Sequence, residues 1–316
     1  MSKNLLVVLL LLGGCASPGL TINQLQFVGS HNSYKKAMSP EYFKAVFAQN
    51  ADAARALEYS HVPIQAQLDL GLRQLELDIF YEPTTQLFAV GHVQLIDMNS
   101  HCATLSQCLE QVKAWSDDHP RHVPLWITLN AKDQAIAGLP KPIAFDEAGL
   151  KLLDDVVETV LGDRLIRPSA VKLESKLRWP RLAQARGKIL LILDEVADKR
   201  DLYWEGWLDR PLFTNAPIDH EAAAIMIVND PIAQRGRIEA LVDAGYMVRT
   251  RADADTHEAR NNSTLRRDAA LSSGAQAIST DYYLPSSAFD SDYQVKLPRP
   301  VRCNPRLTNT MCWITE

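Results

Sequence analysis

Eight short apolar runs, spaced along the chain by amphipathic stretches and polar loops, limit the possible folds more than any other feature. They lie at Leu25–Gly29, Gln74–Tyr81, Leu125–Asn130, Lys188–Asp194, Leu212–Asn215, Ala224–Asn229, Tyr246–Arg251 and Ala277–Thr280. Stretches such as Ile189–Leu193 and Ile225–Val228 are apolar at every position, as expected of strands covered on both faces in a parallel sheet. Between the runs, the spacing predicts helices over Glu147–Leu161 (apolar at Leu150, Leu153, Val156, Val157 and Val160), Arg235–Ala244 and Ala259–Ser272. Another helix carries Cys108, Leu109, Val112 and Trp115. Strand and helix alternating to a count of eight predict an α/β fold of the (β/α)8 TIM-barrel type. Leu212–Asn215 is the weakest of the eight. An open doubly wound sheet is the alternative, but no glycine-rich phosphate turn follows the first strand. No low-complexity linker interrupts the pattern, so residues 20–316 read as one domain.

The polar residues fall at one end of these strands. His31, Asp78, Asn130, Asp194, Asn229, Asp230, Arg251, Asp253 and Asp281 all stand at or just past strand C-termini, the rim where barrel enzymes gather catalytic groups. Loops are polar anyway, yet so many candidates at one end favour a site. Glu76 and Asp78 are two apart in a strand and share a face, while Leu75, Leu77 and Ile79 occupy the other. Two carboxylates that close need a cation or a shared proton. Ca2+ fits, with Asn32 and Asn130 adding neutral oxygens; a charged outer face paired to Arg73 is the other reading. His31, in Gly29-Ser30-His31-Asn32-Ser33-Tyr34, and His92, after Gly91, supply two imidazoles able to serve as acid, base or phosphate donor. The set suits phosphodiester cleavage. The other six histidines, at 61, 101, 119, 122, 220 and 257, lack comparable company and read as surface or structural. Arg249 and Arg251 share a face and could clamp a phosphate, or Arg251 could pair with Asp253. Lys132 could contact phosphate or be solvated, and Tyr282 or Tyr283 could lie against a sugar ring or pack in a loop.

The start of the chain bears on compartment. Lys3 precedes an apolar run, Leu5–Leu12, which ends at Gly13-Gly14-Cys15. This is the layout of a secretory signal over residues 1–14, too short to span a bilayer. Cys15 after small residues resembles a lipobox, so lipidation there would anchor an exported envelope lipoprotein, periplasmic or at the outer membrane. Cys102 with Cys108 and Cys303 with Cys312 pair by proximity, which export makes plausible, although four cysteines allow three connectivities. A net charge of −5 argues against nucleic acid as a partner. A monomer held at a membrane surface through that lipid is expected.

Gly-Ser-His-Asn-Ser-Tyr, then Glu-Leu-Asp, then Gly-His resembles the Ca2+-dependent phosphoinositide-specific phospholipase C group of the PLC-like phosphodiesterase superfamily. The stretches Arg186–Leu190, Gly245–Asp253 and Ser273–Tyr283 are similar to its bacterial and fungal branch, so the likeness runs over nearly the whole mature chain. The resemblance implies a TIM barrel in which His31 donates to phosphoryl oxygens and His92 is general acid toward the diacylglycerol oxygen. It implies Ca2+ on Asn32, Glu76 and Asp78, and Glu76 or Asp78 taking the proton of the inositol 2-hydroxyl, so that a cyclic inositol phosphate forms. Asn130 stands where the eukaryotic pattern has a further glutamate ligand. It keeps an oxygen and loses a charge, which would weaken calcium or require a compensating residue. A glycerophosphodiester phosphodiesterase is the nearest alternative, but that group carries His-Arg-Gly where this chain has His31-Asn32-Ser33. A non-catalytic envelope lipoprotein is the other.

Overall fold

Alternation of side chains along a strand decides which residues meet inside a closed sheet. The computed structural model describes residues 19–173, 176–308, 312 and 314–316; the expected leader and the lipidation site at Cys15 lie outside them. All eight expected strands are present: β1 (Leu25–Ser30), β2 (Gln74–Glu82), β4 (Leu125–Ala131), β7 (Ile189–Leu193), β8 (Leu212–Thr214), β9 (Ile225–Ile227), β10 (Met247–Arg251) and β11 (Ala277–Thr280). They form one parallel sheet in the order β8-β7-β4-β2-β1-β11-β10-β9. The two ends meet through a parallel bridge between Asn215 and Ile225, so the chain folds as a nearly closed (β/α)8 barrel. Gly29 is required where β1 crosses β2, because a Cβ there would sit 2.3 Å from that of Gln74.

Four strands lie off the ring. β3 (Leu87–Val90) returns antiparallel on β2, and β12 (Val301–Cys303) pairs antiparallel with β1. β5 (Lys172–Leu173) and β6 (Lys176–Leu177) make a small hairpin of their own. Leu75, Leu77, Ile79, Ile127 and Leu129 face outward into the helices Leu105–Asp118 and Glu147–Leu161, in a cluster with Leu109, Val112, Leu150, Leu153 and Val157. Phe27, Trp126, Leu190, Ile192, Phe213, Ile225 and Met247 fill a second cluster. The helix expected over Ala259–Ser272 is two pieces, His257–Arg260 and Leu265–Ser272. Asn262 at φ 47 breaks it, a left-handed turn that asparagine tolerates and that ends helical hydrogen bonding. Both expected disulfides are formed, with Cα–Cα distances of 5.2 Å for Cys102–Cys108 and 5.8 Å for Cys303–Cys312.

Candidate active site

The inward residues of each of these strands lead to a polar side chain at the rim. On β2 the run is Gln74, Glu76 and Asp78, and on β4 it is Trp126, Thr128 and Asn130. Register aligns Glu76 with Thr128 and Asp78 with Asn130. On the other side β10 supplies Arg249 and Arg251 opposite Ala277 and Ser279 of β11, and Asp281 is the next inward residue. His31 follows the last residue of β1, its backbone N–H donating to Thr280 O at 3.0 Å.

His31 is held on several sides. Its Nδ1 lies 2.9 Å from Asp281 Oδ1, and the main-chain carbonyl of His31 accepts from His61 Nε2 at 2.7 Å. The other ring nitrogen, Nε2, faces the site, 3.8 Å from Glu76 Oε1 and 3.4 Å from Arg251 Nη1. Arg251 Nη2 donates to Asp281 Oδ2 at 3.2 Å. Burial, and next the Arg251 guanidinium, hold the His31 imidazole well below its usual range. A neutral ring with Nδ1–H on a carboxylate leaves the Nε2 lone pair facing the site, where it accepts from Arg251 Nη1 at 3.4 Å. Beneath, buried Asp253 accepts the Asp281 N–H at 2.8 Å and the Tyr293 hydroxyl at 3.3 Å. It therefore braces the β11 end; it does not pair with Arg251.

The carboxylate pair is saturated with donors. Arg249 Nη2 donates to Glu76 Oε2, with Nη1 on Asn229 Oδ1 at 2.7 Å and a bond to Ser279 Oγ at 3.0 Å. Asn130 Nδ2 bridges Glu76 Oε1 at 2.9 Å and Asp78 Oδ1 at 2.8 Å. Lys132 Nζ is 3.0 Å from Asp78 Oδ2. These contacts bear on the readings of Arg249, Glu76 and Arg73. Arg249, 2% exposed, is the buried counter-charge of Glu76, with both terminal nitrogens engaged by protein groups. Glu76 has Oε2 taken by that arginine and Oε1 by the Asn130 amide. Arg73, the alternative partner for these carboxylates, instead binds Glu316 at the opposite end of the barrel. Of the two readings for Tyr282, its placement favours the packed loop aromatic: it is 3% exposed and lies against Phe289 and Tyr293.

Asn32 adopts φ 48. Its Nδ2 donates to the Tyr59 hydroxyl at 2.7 Å, while its Oδ1 is buried without a hydrogen-bond partner. An orphaned oxygen costs on the order of 1–3 kcal/mol, and a neutral amide oxygen together with the carboxylates of Glu76 and Asp78 is the donor chemistry a hard cation takes. These residues fit calcium in kind, although among the described residues no three His, Cys, Asp or Glu side chains are already gathered as a metal cluster.

His92 lines a cavity of ≈ 500 Å³ together with polar Asn130, Lys132, Asp194 and Lys199 and apolar Val93, Ile136, Leu139 and Val196. Its Nδ1 is 3.4 Å from Asp97 Oδ2, and Asp97 also takes Lys35 Nζ at 2.7 Å on each oxygen. Asp97, Lys35, Tyr59 and His61 were not singled out by sequence. They lie in irregular segments whose approach to the rim has no periodic signal. Asp281 was legible as a rim residue, though its bond to His31 was not.

Asp194 closes the cavity, accepting from Asn215 Nδ2 at 3.0 Å. Burial pushes its carboxyl up to about 6, opposed by Arg249 and reinforced by Glu76. With the folded value above the unfolded one, stability from protonated Asp194 is complete below about pH 4 and is lost as pH rises through about 6. Asp194→Asn, which carries no charge at any pH, should therefore gain stability relative to the native protein between about pH 4 and pH 8. The gain is on the order of 2 kcal/mol, read from urea unfolding. A difference that does not change with pH would contradict this.

The family described as phosphoinositide phospholipase C, Ca2+-dependent, matches this chain over residues 20–91 and 82–305. Among solved structures, the calcium-dependent phosphoinositol-specific phospholipase C from the Gram-negative bacterium Pseudomonas sp, as a myoinositol complex, is similar at 19% identity. It superposes with a TM-score of 0.61, covering 91% of this chain and 96% of that one. The Ca2+-dependent phosphatidylinositol-specific phospholipase C from Streptomyces antibioticus is also 19% identical, with a TM-score of 0.57 over 84% and 95% of the two chains. At these identities the structural likeness bears on the fold. No curated protein matches the chain.

Proposed function

The chain belongs to the Ca2+-dependent phosphoinositide phospholipase C family of phosphodiesterases, and from that membership we propose that it cleaves phosphatidylinositol-type lipids into diacylglycerol and a cyclic inositol phosphate. The observation that carries this reading is the His31 ring, held neutral with Nδ1 on Asp281 and Nε2 turned to the site. His31 Nε2 takes the proton of the inositol 2-hydroxyl as that oxygen bonds to phosphorus. This differs from the donor role the resemblance implies for His31, because its one N–H is already committed to Asp281. Arg251, 3.4 Å from the same nitrogen, neutralises a non-bridging phosphate oxygen where charge grows. The bond from phosphorus to the glycerol oxygen breaks, and His92, with Nδ1 toward Asp97, gives its proton to the departing oxygen. Calcium, held by Asn32 Oδ1, Glu76 and Asp78, would supply Lewis acidity toward the hydroxyl and the phosphate.

A lipid surface suits the exposed residues around the mouth. Tyr42, Phe47, Leu95, Ile136, Ile143, Val196, Ile232 and Leu284 are all largely exposed, on segments that follow the barrel strands at their C-terminal ends. Solvent-facing apolar groups spread around one opening favour contact with an apolar phase. The helix Pro40–Gln49 buries none of its residues. Replacing both Tyr42 and Phe47 by Ser should lower turnover of vesicle lipid by roughly tenfold, about the value of two inserted side chains, and spare a soluble short-chain phosphatidylinositol. Equal loss on both would contradict the interfacial role. We read the N-terminal segment as export and anchoring through Cys15, supported by two disulfides of the kind that persist in oxidising compartments.

The function is tested by diacylglycerol release from phosphatidylinositol vesicles against phosphatidylcholine vesicles. Release from phosphatidylinositol alone is expected. Equal release from both would remove the hydroxyl-attack reading, since choline offers no neighbouring hydroxyl.

A further inference from the structure

We propose that Lys132 is an internal competitor for the divalent cation: its ammonium occupies the Asp78 carboxylate and has to leave before calcium can enter. This inference rests on the calcium expectation above. Glu76 and Asp78 carry two negative charges, and Arg249 and Lys132 return two positive ones. A divalent cation entering unchanged surroundings would therefore meet no net negative charge within the pair, and at such distances like charges repel strongly in a partly buried site.

The two resident cations differ in freedom. Arg249 is 2% exposed and fastened to Glu76, Asn229 and Ser279, so it cannot leave without stranding those groups. Lys132 has a 34% exposed side chain and a single carboxylate partner, Asp78. It stands immediately after β4, its own N–H on Ile79 O at 2.8 Å, so backbone pairing aims its stem at the rim. Lys199, the other lysine of the cavity, is engaged elsewhere, with Asp133 at 2.8 Å and Glu195 at 2.9 Å. Lys132 is thus the movable cation. It lines the same cavity as His92, so an ammonium displaced from Asp78 remains beside the reacting phosphate.

Asn130 adds to the effect. It directs its amide N–H groups at both carboxylates, using as donor the position from which a cation would need an acceptor. The chain should therefore bind calcium weakly, and removing the lysine charge should tighten binding.

The test is calorimetric titration of the mature protein with calcium chloride alone, no lipid present, for the native protein, Lys132→Met and Asn130→Asp. Lys132→Met should raise calcium affinity by about tenfold, the scale of one partly buried ion pair, and Asn130→Asp should raise it independently by restoring a negative oxygen. Unchanged or weaker binding in Lys132→Met, with the unfolding transition intact, would overturn the competition, and so would tightening by Asn130→Asp alone. Because no substrate is present, this result is separate from the lipid reading. A protein that cleaves phosphatidylinositol but shows no effect of Lys132→Met loses only the competition. One that shows the effect but leaves phosphatidylinositol intact loses only the substrate.

Discussion

His31→Ala should lower kcat on phosphatidylinositol by about 10³–10⁴-fold, toward the upper range for loss of a positioned base, with little change in fold. The side chain is 17% exposed and belongs to none of the apolar clusters, so its loss leaves no large core cavity. What disappears is the imidazole lone pair facing the site, which only the long 3.4 Å contact to Arg251 Nη1 engages, whereas Glu76 is bound by Arg249, and Asp78 by Lys132 and Asn130. Asp281→Asn should act in the same direction with a smaller effect, because an amide can still accept from Nδ1 while losing the charge that supports a protonated ring. Diacylglycerol release under saturating lipid, with circular dichroism as a fold check, measures both. Turnover within tenfold of native in His31→Ala would move the base to another group.

Arg249→Ala should be the largest effect on stability, a loss of about 3–5 kcal/mol, as when one partner of a buried ion pair is removed. The cost lies in what stays behind. Glu76 is 4% exposed and would keep only the Asn130 amide, while Asn229 Oδ1 and Ser279 Oγ would each lose a partner. Adding Glu76→Gln to Arg249→Ala should recover a large part of the loss, since the uncompensated charge is then gone. Urea unfolding of the two single variants and the double variant closes the cycle. A loss under 1 kcal/mol in Arg249→Ala would mean that Glu76 is neutralised by something other than this arginine.

Much of the barrel was legible because its signal is local. The apolar runs announced all eight strands, including Leu212–Thr214, which had the least support. Alternation along β2 was enough to send Leu75, Leu77 and Ile79 to the helices and Glu76 and Asp78 inward. Partners across the barrel were not legible. Arg249 reaches Glu76 over 173 residues of sequence and His31 reaches Asp281 over 250, and no spacing rule says which inward residue of β10 or β11 meets which of β1 or β2. Arg249 and Arg251 look alike as an i, i+2 pair, yet one layer of depth makes the first a buried counter-charge and the second a rim donor. Tyr282 stayed open between two readings for a related reason: a loop aromatic gives no hint of whether its ring faces a cavity or, as here, Tyr293. The irregular stretch from Asn32 to Pro63 hid Tyr59 and His61, because its course is set by contacts to β1 and β11 and carries no periodicity.

The most direct measurement is ³¹P NMR of phosphatidylinositol vesicles incubated with the mature protein, followed from the first turnovers. A cyclic inositol phosphate as the first phosphorus product, absent with His31→Ala, is the result expected of attack by the 2-hydroxyl with His31 as base. Inositol monophosphate appearing first with no cyclic precursor, or a cyclic product formed equally well by His31→Ala, would contradict it.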